Sequence, residues 1–205
     1  MATETNDFYL TIEQPVSGEY KDRGSKFIAY AYPIKSVENF KEALQQTKAL
    51  HPKASHHCFA YRIGLSNNLF RVSDDGEPSS SAGRPILNAI DSKELTDVLV
   101  VVVRYFGGTL LGVPGLINAY KTAALLTLQT TPIVQKPILS VFELQFDYTQ
   151  TNTVMSIAKQ LNATIVQNET QLFCVMKLGI QRSKEADLLH RFSEHHTITV
   201  KKIIS

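Results

Sequence analysis

The last third of the chain combines strand and helix patterns in an order that few folds accommodate. Residues 140–148 alternate between polar and apolar side chains, which is the pattern of a strand with one buried face. The periodicities that follow predict helix 151–161, strands 163–168 and 172–179, helix 183–195 and strand 197–203. The resulting order, β-α-β-β-α-β, is that of a ferredoxin-like split β-α-β unit.

The first two thirds of the chain have a less regular pattern. The periodicities predict strand 26–34, helix 37–50, strands 56–63 and 69–72 joined by a turn at Asn67 and Asn68, helix 85–90, strand 98–103 and helix 114–129. The strand at 98–103 is apolar on both faces, so we expect it to be buried on both sides. Strands and helices alternate irregularly, which favours an α+β fold over a doubly wound α/β fold.

These patterns predict two domains. We expect the first to occupy residues 1–133 and the second, ferredoxin-like domain to occupy residues 137–205. Prolines at positions 132 and 137 lead us to expect an irregular linker over residues 130–137.

Charge is spread evenly over the two predicted domains. Residues 1–136 contain 14 lysines and arginines against 13 acidic residues, and residues 137–205 contain 7 against 6. Strong binding to nucleic acid of any sequence requires many cations on one face, and neither half has such an excess. Composition therefore does not favour this function, although it leaves a local basic patch open.

The sequence also bears on location. The first ten residues lack the basic and then apolar pattern of a signal peptide, and the apolar run 98–103 is too short to span a bilayer. The two cysteines, Cys58 and Cys174, lie in apolar strand-like runs, which is typical of reduced, buried thiols. We expect a cytoplasmic monomer with no membrane partner.

Residues 73–85, SDDGEPSSSAGRP, form the first loop with unusual chemistry. Asp74, Asp75 and Glu77 lie within four positions, close to Ser81 and Arg84. Carboxylates in such a cluster could hold a hard cation such as Mg²⁺ together with a phosphate. The same residues are common in turns, where aspartate accepts hydrogen bonds from neighbouring amides. Both interpretations remain open at this point.

The second unusual loop is RYFGGTLLGVPG, residues 104–115. It connects the buried strand to a helix through four glycines, and it includes Arg104 and Tyr105 followed by Gly107, Gly108 and Gly112. A strand, a glycine-rich loop and a helix N-terminus together can bind an anion through free N–H groups. The loop lacks the Lys-Ser/Thr of a P-loop and the dinucleotide fingerprint. The glycines could equally serve only a tight connection.

Histidines near these loops offer a candidate acid or base. His56 and His57 are adjacent in a strand, so their side chains point to opposite faces and cannot share a ligand without distortion. Of the two, His56 is the one that could reach the loop at 73–85. No catalytic triad can be placed by spacing, and we predict no resident metal and no cofactor.

At these same segments the sequence resembles a known family. The strings ASHHCFAYRIG, SDDGEPSSSAGRPIL and VVVVRYFGGTLLGVPGLINAY look like the IMPACT N-terminal domain of the YigZ/IMPACT proteins. The tail is similar to the second, ferredoxin-like domain of the bacterial members. The resemblance implies a first domain of the ribosomal-protein type, an α+β sandwich like the second domain of small-subunit protein five. It implies a second domain like the last domain of elongation factor G.

This sequence departs from the family pattern at two places. The family usually has Gly-Thr where this chain has Ser80 and Ser81, although Ser81 keeps a hydroxyl. It usually has glycine or another small residue where this chain has Pro114, and proline removes one backbone N–H from the candidate anion site.

The resemblance carries expectations about function. The eukaryotic relative is a translation regulator that competes for the scaffold activating the amino-acid-starvation kinase. The functional surface that the resemblance implies comprises His56, Asp74, Asp75, Glu77, Arg84, Arg104, Tyr105, Gly107 and Gly108, to which we add Ser81 and Gly112 as candidate binding residues.

Three hypotheses follow. The leading one is a non-enzymatic protein acting in translation or its regulation by binding RNA, a ribosomal component or a protein partner. The alternative is a metal-dependent enzyme for a phosphorylated or nucleotide substrate, in which the acidic loop holds a metal, Gly107 and Gly108 seat phosphate, and His56 transfers a proton. The third is a protein-docking module in which both loops are structural.

Overall fold

The computed structural model describes residues 7–65, 69–170 and 173–203. The chain divides into two compact units. The first is Tyr9–Lys136, and the second comprises the described residues from Pro137 onward together with Asp7 and Phe8.

The first unit is built on two sheets and three helices. Its strands are β1 (Phe8–Ile12), β2 (Val16–Asp22), β3 (Ser25–Pro33), β4 (His56–Ile63), β5 (Leu69–Ser73), β6 (Val98–Tyr105) and β7 (Ile133–Pro137), of which β1 begins and β7 ends one residue outside the unit. Its helices are α1 (Val37–Leu50), α2 (Gly83–Asp91) and α3 (Gly112–Gln129). Five strands form an antiparallel sheet in the order β2-β3-β6-β4-β5, and β1 pairs with β7 in a separate two-stranded sheet.

Strand β6 is the central strand of the five-stranded sheet, and both of its faces are covered. Val98, Val100 and Val102 pack in a core with residues of α2 and α3, and Val101 packs on the opposite face beside Phe40 of α1. The prediction of a doubly buried strand at 98–103 is confirmed. Because the sheet is antiparallel, its combination with helices is an α+β arrangement.

Helix α1 shows how local sequence sets an element boundary. The Ser36 hydroxyl accepts a hydrogen bond from the Asn39 amide at 3.2 Å, which is an N-cap, and the helix then buries Phe40, Ala43 and Thr47 against the sheet. Serine directly before a helical apolar pattern is a sequence signal for this start.

The segment 130–137 differs from the expected linker. Residues Ile133–Pro137 form strand β7, so the prediction of irregular structure across this whole segment was wrong. Pro132 precedes the strand and Pro137 is its last residue, and proline is tolerated at strand ends. Strands β1 and β2 were not predicted. The turn predicted at Asn67 and Asn68 lies outside the described residues, although β4 and β5 on either side of it pair.

The second unit has the order β8 (Leu139–Phe146), α4 (Thr151–Gln160), β9 (Thr164–Thr170), β10 (Cys174–Gln181), α5 (Glu185–Ser193) and β11 (Thr199–Ile203). Its strands form an antiparallel sheet in the order β11-β8-β10-β9. Phe142, Leu144 and Phe146 share a core with Val154 of α4 and Phe192 of α5. The predicted β-α-β-β-α-β order is confirmed.

Within the described ranges, no helix combines the length and apolar character needed to cross a bilayer.

Candidate functional site

Several elements of the first unit converge at the end of the sheet where β6 stops. Arg104 of β6 lies opposite Phe27 of β3 on one side and His56 of β4 on the other. The loop that follows β5 and the loop that follows β6 leave from this same end, and they lead into α2 and α3. This convergence brings the two loops singled out by the sequence to one end of the sheet.

A buried ion pair lies under the two loops. The Glu77 Oε1 atom accepts a hydrogen bond from Arg104 Nη1 at 2.7 Å and another from the Tyr120 hydroxyl at 2.7 Å. The side chains of Glu77 and Arg104 are only 4% and 6% exposed. Each charge therefore neutralises the other inside the protein, and the Arg104 guanidinium is already paired before any ligand approaches.

Arg104 makes further contacts that fix its position. Its Nη2 atom donates to the Ser25 hydroxyl at 3.3 Å, and its guanidinium lies 5.6 Å from the ring of Phe27 and 5.5 Å from that of Phe106. Within the part of the chain that the structure describes, its Nε atom is buried without a hydrogen-bond partner. Arg104 is thus a buried structural cation with Phe106 beside it.

Two further groups near Glu77 are held in their protonated forms. The Cys58 thiol donates to the Asp74 carbonyl at 3.0 Å, and burial raises the pKa of this thiol far above its usual range. Burial also raises the pKa of the Tyr120 hydroxyl, with added repulsion from Cys58 and Glu77. Neither side chain is therefore a thiolate or phenolate nucleophile at neutral pH.

Asp74 caps the start of α2. Its Oδ1 atom accepts from the amides of Ala82 at 3.0 Å and Gly83 at 2.8 Å, and its Oδ2 atom accepts from Ser80 at 2.8 Å. The first N–H groups of a helix lack partners within the helix, and a carboxylate at that end satisfies them. The backbone amides therefore occupy both carboxylate oxygens of Asp74.

Asp75 joins the loop to strand β4. Its Oδ2 atom accepts from the His57 amide at 2.6 Å, and its carbonyl accepts from His56 Nδ1 at 2.8 Å. The second bond orients the His56 ring so that its Nε2 atom lies 3.8 Å from Glu77 Oε1. His56 thus reaches the acidic loop as predicted from the strand pattern, and its nearest carboxylate is the one that pairs with Arg104.

The three carboxylates of the acidic loop, residues 73–85, therefore bind three different sets of protein groups. No group of three or more His, Cys, Asp or Glu side chains in residues 7–65, 69–170 and 173–203 is arranged to hold a metal ion. Ser81 is buried, and its hydroxyl donates to the Pro78 carbonyl at 2.6 Å, so this hydroxyl is also engaged. Arg84 is exposed in the first turn of α2.

Tyr105 lies on the opposite face of the sheet from Arg104. Its hydroxyl is 2.9 Å from His51 Nδ1, and the Tyr30 hydroxyl is 2.7 Å from His51 Nε2. Burial, followed by the nearby Lys26 ammonium, lowers the pKa of His51. The structure therefore does not bring Tyr105 together with the other predicted site residues.

The glycines of the second loop have distinct roles. Gly107 packs directly on the backbone of Gly24, since a Cβ atom at Gly107 would lie 1.9 Å from the Gly24 carbonyl carbon. Its amide donates to the Ser25 hydroxyl at 3.3 Å. Gly108 and Gly112 have φ values of 86° and 68°, a region that favours glycine. Helix α3 then begins without a side-chain cap.

Exposed apolar side chains lie on this loop and on the first turns of α3, and none of them is among the candidate site residues predicted from the sequence. Phe106, Leu110, Val113 and Ile117 are 49%, 82%, 45% and 39% exposed. We call these four residues the loop–helix patch. The sequence shows these apolar residues at intervals of three to four positions. It does not show which side of α3 stays exposed.

Comparisons with known proteins identify the class. The family model described as the Impact N-terminal domain matches residues 23–128. A crystal structure of a hypothetical protein superposes with a TM-score of 0.79 at 28% identity, covering 97% of this chain and 98% of the other. These findings define a two-domain α+β protein with an Impact N-terminal domain.

Curated relatives agree with this class. The IMPACT family member YigZ of Escherichia coli is 30% identical over 188 residues, covering 91% of this chain and 92% of the relative. An IMPACT family member of Haemophilus influenzae is 33% identical over 174 residues, or 84% of each chain. Protein IMPACT of Bos taurus is 36% identical over 97 residues, covering 44% of this chain and 30% of that protein. The chain belongs to the IMPACT family.

Proposed function

We propose that this protein acts in translation or its regulation as a binding protein without catalytic activity, and that the loop–helix patch contacts a protein partner. One observation carries the proposal: Leu110 is 82% exposed, and three more apolar side chains between positions 106 and 117 are exposed with it. Contiguous exposed apolar side chains on a folded domain are typical of protein-docking sites.

The charges near the patch favour a protein over RNA as the partner. Arg104, which the sequence offered as a phosphate ligand, is buried and neutralised by Glu77 at 2.7 Å. The four residues of the patch are uncharged. Binding to a nucleic acid backbone needs many exposed cations, because neutralising phosphates supplies most of its free energy, and among the described residues of α2 and α3 only Arg84 and Lys121 are exposed cations.

The hydrogen bonds of the acidic loop support a non-catalytic role. Asp74 is bound by three backbone amides, Asp75 by the His57 amide, and Glu77 by Arg104 and Tyr120. A metal ion bound by Asp74, by Oδ2 of Asp75 or by Oε1 of Glu77 would compete with these contacts. The alternative of a metal-dependent enzyme has no group of three or more metal-ligating side chains to support it in residues 7–65, 69–170 and 173–203.

The link to translation rests on resemblance. The first domain is similar to a ribosomal-protein domain and the second to the last domain of elongation factor G, as the sequence motifs imply. Membership of the IMPACT family, which includes eukaryotic relatives named Protein IMPACT, adds to this support. A fold alone does not establish a function, so the proposal requires a direct test.

The test is co-sedimentation of the full chain with ribosomes and associated factors from the cytosol of its host, with and without ribonuclease. We expect association that survives ribonuclease and that falls about tenfold in the double variant Leu110→Ser, Val113→Ser, which removes apolar contact area. The matched control is Leu50→Ser, since Leu50 is 64% exposed at the end of α1.

Three outcomes would contradict the proposal. Association that disappears completely with ribonuclease favours RNA as the ligand. Equal loss in the Leu50→Ser control shows that the patch is not the contact. No association at all removes the link to translation.

A further inference from the structure

The outward surface formed by α2 and α3 has an unbalanced charge. Its exposed charged residues are Arg84 and Asp91 on α2 and Lys121 on α3. The Asp91 carboxylate is bound by Arg62 through both guanidinium Nε and Nη2, the second at 2.8 Å, so this negative charge is neutralised. Among the described residues, Arg84 and Lys121 have no ion-pair partner within 4.0 Å, which leaves two cations on this surface.

Helix α3 adds to the positive potential. Its 18 residues contain one basic residue, Lys121, and no acidic residue. The N-terminus of a helix carries a partial positive charge, which acidic residues in the first turn usually offset. Here the first turn has no acidic residue and no side-chain cap, and it lies directly beside the loop–helix patch.

The spacing of the patch indicates the shape of its partner. Val113 and Ile117 lie four residues apart in α3 and form an apolar seam on one exposed face of the helix, and Leu110 lies in the loop just before it. Lys121 lies four residues after Ile117 on the same face of α3, so its exposed ammonium borders the apolar seam. An amphipathic helix is the element whose apolar side chains match this interval.

We infer that the loop–helix patch binds an amphipathic helix of a protein partner whose apolar face is bordered by acidic side chains. This inference rests on the proposed function and names the chemistry of its partner. The partner's apolar side chains pack on Leu110, Val113 and Ile117, and its carboxylates face Lys121, Arg84 and the N-terminus of α3. Complementary charge of this kind sets orientation and the rate of association.

The experiment is photo-cross-linking of the full chain in its host cytosol. A benzoylphenylalanine residue replaces Asn118, which is exposed next to Ile117 but outside the seam, and mass spectrometry identifies the cross-linked segment. The matched control carries the cross-linker at Gln45, which is exposed on α1 at the other face of the sheet. We expect cross-links at position 118 to an acidic segment with apolar residues at helical spacing.

Charge-reversal substitutions then test whether the partner's acidic side chains contribute to binding. Lys121→Glu combined with Arg84→Glu should lower the cross-link yield about fivefold or more, and high salt should lower the wild-type yield. Lys41→Glu, at an exposed position of α1, should leave the yield unchanged. Circular dichroism of each variant confirms that the chain is folded.

The outcomes separate the inference from the proposed function. A cross-link to a basic or uncharged segment of a translation component overturns the inference and leaves the proposed function standing. A cross-link to an acidic helix of a protein outside translation supports the inference and removes the link to translation. Cross-links to RNA, or none above the position 45 control, overturn the inference, and co-sedimentation then decides the proposed function.

Discussion

The Oε1 atom of Glu77 lies 2.7 Å from Nη1 of Arg104, and both side chains are more than nine-tenths buried. The same oxygen accepts the hydroxyl of Tyr120 at 2.7 Å. One carboxylate therefore joins the loop before α2 to strand β6 and helix α3. Two buried charges of opposite sign are tolerated in the protein interior as long as both are present.

Glu77→Gln should strongly destabilise the protein because it leaves the Arg104 cation buried without a counter-charge. We expect the free energy of unfolding to fall by about 3–5 kcal/mol, as measured by urea denaturation. The control is Glu19→Gln, which removes a carboxylate paired with Lys21 and Lys26 at the surface and should change little. A loss at Glu77 no larger than that at Glu19 would show that the buried pair is not needed for stability.

The two neighbouring glycines of the second loop should respond differently to alanine. Gly107→Ala introduces a Cβ 1.9 Å from the Gly24 backbone, so the two turns must separate, and we expect a loss of about 3 kcal/mol or more. Gly108→Ala meets no atom within 4 Å and suffers only from a φ of 86°, a cost of about 1–2 kcal/mol. Thermal unfolding of both variants checks this order, and a reversed order contradicts the described contact.

Asp74→Ala should destabilise α2 without altering any response to magnesium. The substitution leaves three backbone amides without an acceptor, and loss of a helix cap costs about 2 kcal/mol. We expect magnesium to leave the Tm of the wild type and of the variant unchanged. A magnesium-dependent rise in wild-type Tm that Asp74→Ala abolishes would instead support the metal-dependent enzyme.

Acid should weaken the first unit through His51 and His57. Burial is the main cause that lowers the pKa of each ring, with the Lys26 ammonium adding to it at His51; at His57, Asp75 and the hydrogen bond to the His51 carbonyl partly oppose it. When the folded pKa lies below the unfolded value of about 6.5, the unfolded state binds more protons in that interval. The stabilisation is therefore complete above about pH 6.5 and is lost as the pH falls towards the folded pKa values.

Hydrogen exchange of the β4 amides between neutral and mildly acidic pH measures this loss. The double variant His51→Gln, His57→Gln should show a flatter dependence, whereas His196→Gln, an exposed position in the second unit, should leave the slope of the first unit unchanged. An NMR titration in which both rings titrate above the usual range for histidine would contradict the expectation.

Local periodicity was sufficient to predict much of this fold. The strand at 98–103 was predicted because it is apolar on both faces, and helices do cover both faces of its sheet. The β-α-β-β-α-β order of the second unit followed from regular alternation of polar and apolar residues. Strand β7 was missed because its partner, β1, lies more than a hundred residues earlier, and local patterns carry no signal for such distant pairing.

The candidate site was harder to predict because one residue type can serve two purposes. Asp74 has the chemistry of both a cation ligand and a helix cap, and only its distances to backbone amides distinguish the two. Arg104 and Tyr105 are adjacent in a strand, so they point to opposite faces, but the sequence did not show that each face has its own polar cluster. Arg104 contacts Glu77, and Tyr105 contacts His51.

The close backbone contact between Gly24 and Gly107 also bears on how the exposed tip of the second loop can vary. The contact holds the base of the tip against a neighbouring turn, and the first residues of α3 hold its other end. Between these two anchors the side chains of Thr109 and Leu110 are exposed and can be exchanged without moving the main chain that displays them. The main chain of the loop tip is thus anchored at both ends, and single substitutions of its exposed side chains can change what the protein recognises with little effect on folding.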